Sequence, residues 1–194
     1  MKKIICRYHH LMLLLFFLGL FACKESFTPK PLGYHRVEFP EKSYQAYEGD
    51  CPFRFQYPDY AELRPDKGKK AEPCWMNMEF PGYQGTVHIS YKKINNNLDE
   101  YIEDSRNFAY KHSVKADAIN EKRIYKPGDD VYGLVYNIEG DAASSLQFFL
   151  TDSSRHFIRG ALYFRTEPNK DSLRPVIQFF SKDIHYMIET FSWK

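Results

Sequence analysis

The first 23 residues constrain everything that follows them. Lys2, Lys3 and Arg7 make a cationic start, and the run from Leu11 to Ala22 carries no charge. About twelve apolar residues are too few to cross roughly 30 Å of hydrocarbon as a helix, but they suit the apolar core of a secretory signal. The run ends Leu20-Phe21-Ala22-Cys23. A small residue directly before a cysteine is the pattern cut by a lipoprotein peptidase. Residues 1–22 are therefore read as a lipoprotein signal peptide, and Cys23 as a residue whose thiol and new amino group carry acyl chains. Phe21 is bulkier than the residue usual at its place. An ordinary signal peptide and an uncleaved anchor are the other readings. In the lipidated reading, everything after Cys23 is an exported domain tied to a membrane.

What remains after residue 22 is 172 residues, enough for one domain with a sizeable core and too few for two ordinary ones. It holds 24 basic and 25 acidic residues, so the mild basicity of the whole chain belongs to the signal. Without a basic stripe, nucleic-acid binding has little electrostatic support. No second run of 18 apolar residues occurs, so the acyl chains would be the only attachment to the membrane. Lys24 follows Cys23, where an aspartate would retain a lipoprotein in the inner membrane of enterobacteria; this leans toward the outer membrane, facing the periplasm. Residues 23–32 read as a tether stiffened by Pro29 and Pro31, and residues 33–194 as the domain.

Cysteine usage fits export. Cys6 leaves with the signal and Cys23 takes lipid, leaving Cys51 and Cys74 as an even pair in an oxidising compartment. A bridge between them would contribute about 3 kcal/mol in the chain-entropy model. Two free thiols are the alternative. The spacing does not suggest a redox pair, and no zinc site is expected.

Along the domain, Phe53, Phe55 and Tyr57 alternate with Arg54 and Gln56 between Pro52 and Pro58, the period of a half-buried strand. Arg64 to Glu72 reads as a charged loop. Strands are predicted over Cys74–Phe80 and Thr86–Lys92, joined by a turn at Pro81-Gly82-Tyr83-Gln84-Gly85. Asn95-Asn96-Asn97 can cap a helix from Leu98 to about His112. Four strands follow, near Ala118–Tyr125, Val131–Glu139, Leu146–Thr151 and His156–Arg165. A last helix starts at Asp171 or Ser172, with Pro175 in its first turn and an apolar stripe of Val176, Ile177, Phe180, Ile184, Met187, Ile188 and Phe191. The order predicts a single α+β domain, an antiparallel sheet covered by two main helices. Its plan is similar to the PsbP/Mog1-like sandwich.

Catalytic signatures are sparse. No G-x-S-x-G occurs, and Ser144, Ser145, Ser153 and Ser154 sit in turn-like stretches without a spaced base. His185 and Glu189 stand four residues apart on the last helix, and Asp183 does not complete a metal-binding face with them. They read as surface hydrogen-bonding groups. Tyr34, His35 and Arg36, near the tether, are candidates for contact with a partner or with lipid headgroups, or simply flank a first strand. Asp171-Ser172-Leu173 has the acidic-Ser-apolar form of an O-glycosylation site, while Ser172 serves equally as a helix cap. No catalytic residue, metal or cofactor is expected. A large pocket with convergent polar groups would instead favour a lipid-anchored enzyme or small-ligand binder.

Pro29-Lys30-Pro31-Leu32-Gly33-Tyr34-His35-Arg36, Phe39-Pro40, Cys51-Pro52-Phe53, Tyr57-Pro58-Asp59-Tyr60 and Cys74-Trp75-Met76-Asn77 together resemble the gliding-motility-associated lipoprotein GldD family of Bacteroidota. The tail, Pro168-Asn169-Lys170-Asp171-Ser172-Leu173 through Asp183-Ile184 to Trp193, is similar to the same family. The resemblance implies a lipid-anchored envelope component needed for gliding and for the linked type IX secretion system. Its implied partners are other gliding-motility lipoproteins and secretion components. It carries no catalytic residues to this chain.

Overall fold

The computed structural model describes residues 37–166 and 169–194. The residues read from the sequence as signal peptide and tether, with Cys23, Tyr34, His35 and Arg36, lie outside the described residues.

Period-2 alternation builds two antiparallel sheets. The larger has seven strands: β3 (Glu62–Pro65), β4 (Met76–Phe80), β5 (Gly85–Lys93), β6 (Ala116–Lys126), β7 (Val131–Gly140), β8 (Ser144–Thr151) and β9 (His156–Phe164). Their spatial order is β3-β4-β5-β9-β8-β7-β6. A small sheet has the order β1-β2-β10, from β1 (Tyr44–Tyr47), β2 (Phe53–Pro58) and β10 (Ser192–Trp193). Two helices cover these sheets, α1 (Leu98–Tyr110) and α2 (Lys170–Thr190). The observed class is the predicted one, α+β with an antiparallel sheet and two helices.

The main core lies between one face of the large sheet, α2 and the small sheet. Met78, Val87, Leu150 and Leu162 come from the large sheet, Phe53 from the small one, and Phe180 and Ile184 from the predicted stripe of α2; none is more than 1% exposed. Phe180 stacks on Phe80 with ring centres 4.0 Å apart. On β9, the ring of Phe148 lies across Gly160, where a Cβ would sit 2.2 Å from the ring. Glycine is needed there for close packing rather than for a turn. The opposite face carries a smaller cluster, in which Ala109 of α1 meets Tyr136, Ile138, Phe149 and Phe157.

Several local expectations change. The charged loop begins later than predicted, because Glu62, Leu63, Arg64 and Pro65 pair with β4. Charges and a terminal proline are compatible with a short edge strand, which needs one free side. Asn97 occupies the N-cap of α1 but makes no side-chain cap; its Oδ1 accepts from the N–H of Asn95 at 2.8 Å. Helix α2 is capped by Asn169, whose Oδ1 accepts from the Ser172 N–H at 3.1 Å, not by Asp171 or Ser172. The earlier start moves Pro175 into the second turn. Ser144 and Ser145 are strand residues rather than turn residues, and Ser144 is fully buried.

Candidate functional site

The most elaborate polar arrangement among the described residues is centred on Asp183. Its neighbours Phe180, Ile184 and Met187 face the core, and helical spacing turns Asp183 toward the same arc. The carboxylate is fully buried. Burying a charge is costly unless it is paired and hydrogen-bonded, and three side chains supply the partners. Lys42 Nζ donates to Oδ1 at 2.7 Å, and the Tyr44 hydroxyl donates to the same oxygen at 3.0 Å. The Tyr60 hydroxyl donates to Oδ2 at 2.6 Å.

Lys42 is equally committed. Besides Asp183 it donates to the Tyr60 hydroxyl and to the Phe179 carbonyl, each at 3.0 Å, and it lies 3.2 Å from the centre of the Phe179 ring. An ammonium has three N–H donors, and all three are used. Burial lowers the Lys42 pKa, with the attraction of Asp183 working the other way. Burial, then the bond to Asp183, pushes Tyr44 up to about 12 and raises Tyr60 as well. Both phenols are therefore neutral donors at physiological pH. The cluster is closed, with no proton held ready for a substrate.

Its place in the chain gives it a use. Lys42 and Tyr44 belong to the first described segment of the domain, which is fastened elsewhere too. Phe39 stacks on Phe179 at 4.3 Å, the Tyr83 hydroxyl donates to the Glu38 carbonyl at 2.7 Å, and Tyr44 packs on Tyr186 at 4.0 Å. The entering chain is thus riveted to the closing helix through one ion pair with a fully buried carboxylate, and through several rings.

A second fastening is covalent. Cys51 and Cys74 are joined by a disulfide, with Cα atoms 5.7 Å apart. It ties the entry of β2 in the small sheet to the entry of β4 in the large one. Cys74 sits at φ 66°, in the left-handed region that non-glycine residues rarely occupy. The bridge and the pairing of β4 hold it there.

The remaining candidates disperse. Ser153 and Ser154 lie in the turn between β8 and β9. There Asp152 Oδ1 accepts the N–H groups of Ser154, Arg155 and His156 at 2.7–3.0 Å. Burial alone would raise the Asp152 pKa; those backbone donors outweigh it and hold the carboxyl below its ordinary value. His185 is half-buried, and burial followed by the charge of Lys122 lowers its pKa. Glu189 is exposed, and its carbonyl accepts from Lys126 Nζ at 2.7 Å. No group of three or more metal-ligating side chains occurs among the described residues. None of their helices is long and apolar enough to cross a membrane, which says nothing of strands.

Lys42, Tyr44, Tyr60 and Asp183 are not brought together by the sequence: Tyr60 and Asp183 enter its reading only within the family motifs and, for Asp183, as a rejected metal ligand, and Lys42 and Tyr44 not at all. The available signal was a carboxylate on the inward arc of an apolar helix, since such a residue needs a partner. Nothing local marked Lys42 as that partner.

No curated protein matches this sequence. Among solved structures, the solution structure of cyanobacterial PsbP (CyanoP) from Synechocystis sp. PCC 6803 is similar in fold, with a TM-score of 0.50 and 16% identity. The match covers 85% of this chain and all of that one, and it supports the sandwich architecture alone. The model of the gliding motility lipoprotein GldD matches residues 24–193, from the residue after Cys23 to the last strand. With the match spanning most of the chain, this protein belongs to the gliding motility lipoprotein GldD family.

Proposed function

We propose that this lipoprotein is a non-enzymatic assembly or scaffold component of the gliding apparatus and of the linked type IX secretion machinery. In this reading Cys23 holds it by acyl chains in the envelope, facing the periplasm, with the outer membrane favoured. The Asp183 cluster carries the proposal. A scaffold hung from a lipid must pass load from its tether into its core, and the residues that enter the domain are locked to α2 by a carboxylate whose donors are all internal. The disulfide supports the same reading by fastening the two sheets to each other.

The test is a gene deletion complemented with wild type, Cys23→Ala or Asp183→Ala, scoring surface spreading and release of secreted cargo. Wild type should restore both. Cys23→Ala should be lost from membranes and restore neither. Asp183→Ala should reach the membrane but restore both poorly, in proportion to its loss of stability. Full rescue by a correctly processed, unlipidated Cys23→Ala protein would refute the anchored-scaffold reading. Loss of spreading with normal cargo release would confine the role to motility.

A further inference from the structure

On the face of the large sheet away from α2, α1 covers only part of the surface. Along its edge, over β4, β5 and β9, runs a cleft of about 490 Å³. Trp75, Tyr101, Phe108 and Phe157 give it an aromatic wall, and Ser90 and Arg159, opposite each other in register, lie on its floor.

Arg159 is the unusual member. Its guanidinium carbon lies 4.6 Å from the centre of the Phe108 ring, and its Nη2 donates to Gln147 Oε1 at 2.6 Å. Its Nε is buried and has no hydrogen-bond partner among the described residues. Asp66 and Asp104 also line the cleft, yet Arg159 takes part in none of the ion pairs among the described residues. Burial lowers its pKa, and only Tyr163 opposes that. The contrast with Lys42 is direct: a half-buried guanidinium with a buried Nε is left here without the carboxylate that Lys42 has.

A guanidinium fork matches a carboxylate or a phosphate. Lys92 also lines the cleft, but its charge is already paired with Glu72, so the two aspartates on the walls penalise a dianion more than a monoanion, which favours the carboxylate. The aromatic wall asks for an apolar body of about ring size. We propose that this cleft is a binding site for a carboxylate carried on an apolar ring-sized group, with Arg159 as the partner of the anion. The carboxylate could belong to a free small acid or to the terminus of a peptide chain. This goes beyond the scaffold role and is tested separately from it.

The chain has two tryptophans, so ¹⁵N-indole labelling of the full mature protein in detergent micelles gives two side-chain signals. Trp75 lines the cleft, while the Trp193 Nε1–H donates to the Asp130 carbonyl and serves as an internal control. Benzoate should move the Trp75 signal saturably and leave Trp193 unmoved, and benzamide should do neither. Arg159→Gln should weaken benzoate binding by roughly ten- to a hundred-fold, with partial recovery in Arg159→Lys. Acetyl-alanyl-phenylalanine binding alongside benzoate would assign the source to a chain terminus; benzoate alone would assign it to a small acid. Equal shifts with benzamide, tighter binding of phenyl phosphate, or no saturable shift at Trp75 would overturn the proposal. If Arg159→Gln fails to fold, the contrast between acid and amide on the wild-type protein still decides.

Discussion

The two faces of the seven-stranded sheet handle buried charge in opposite ways. Under α2, the buried carboxylate of Asp183 is met by a lysine and two tyrosines, and the rest of that face is aromatic and aliphatic core. Under α1, a cation is left without a carboxylate, beside an open cleft and an exposed Phe108. Satisfied polar networks make a packed region rigid, while unsatisfied ones mark a place where something outside the fold completes the set. The α2 face therefore reads as the part that gives the domain its stability, and the α1 face as the part free to meet a ligand. Substitutions should separate the faces sharply: large losses of stability on one, small ones on the other.

The largest loss should come from Phe180→Ala. Its ring is fully buried and packs against Phe80, Tyr83 and Phe179. Truncating such a side chain costs about 3–5 kcal/mol, readable as a lower midpoint in urea at unchanged slope. Asp183→Ala should follow at about 3 kcal/mol, the low end for breaking a buried pair, because the partly exposed Lys42 can turn to water. Replacing both partners, Lys42→Met with Asp183→Leu, should recover much of that loss, since an apolar pair removes both desolvation penalties. A double variant no better than Asp183→Ala would mean the tyrosines, not the ion pair, hold the helix. Cys51→Ser with Cys74→Ser should cost about 3 kcal/mol in the chain-entropy estimate, and reductant should give the same loss in the wild type. No change with reductant would break the picture of two fastened sheets.

How far the sequence foretold this follows from where each signal resides. The strands from β4 to β9 and the stripe of α2 were legible because alternation and helical spacing are local and each buried face has one period. β1 and β10 were missed because four residues and two residues are too short to show a period. Their pairing with β2 is long-range, Tyr44 with Pro58 and Trp193 with Phe53. Asn169 does not stand out as a cap because Asp171 and Ser172 offer equally good oxygens two and three residues later; only the backbone decides among them. The bridge between Cys51 and Cys74 was legible by counting. The partners of Asp183 were not, since Lys42 is 141 residues away and its amine looks like any surface lysine until the helix is docked.

Acid should act more gently, and on both faces. Burial lowers the pKa of His88, His112, His156 and His185, whose ordinary value is 6.5. A histidine with a lowered folded pKa takes up protons more readily when unfolded, so stability is full above about pH 6.5 and falls as pH drops from there through the folded values. The melting temperature should decline between pH 7 and 5, and more steeply in the wild type than in His185→Gln. A flat profile over that range would mean these rings stay accessible to water in the folded protein.

The smallest effect on stability should be that of Arg159→Met, and it sharpens the comparison most. Removing the cation relieves a half-buried charge with no carboxylate, but it also strips Gln147 Oε1 of its donor. These opposing effects each amount to about 1–3 kcal/mol, so the net change should lie within roughly 1 kcal/mol of zero. The methionine stem still covers Phe108. Urea unfolding of Arg159→Met beside Asp183→Ala therefore sets a half-buried cation against a fully buried carboxylate, on the two sides of one sheet, in a single experiment. A loss at Arg159 as large as that at Asp183 would mean the guanidinium is a structural element of the α1 face. Near-neutrality there means the fold carries this cation without depending on it for stability, as a group kept for binding would be carried.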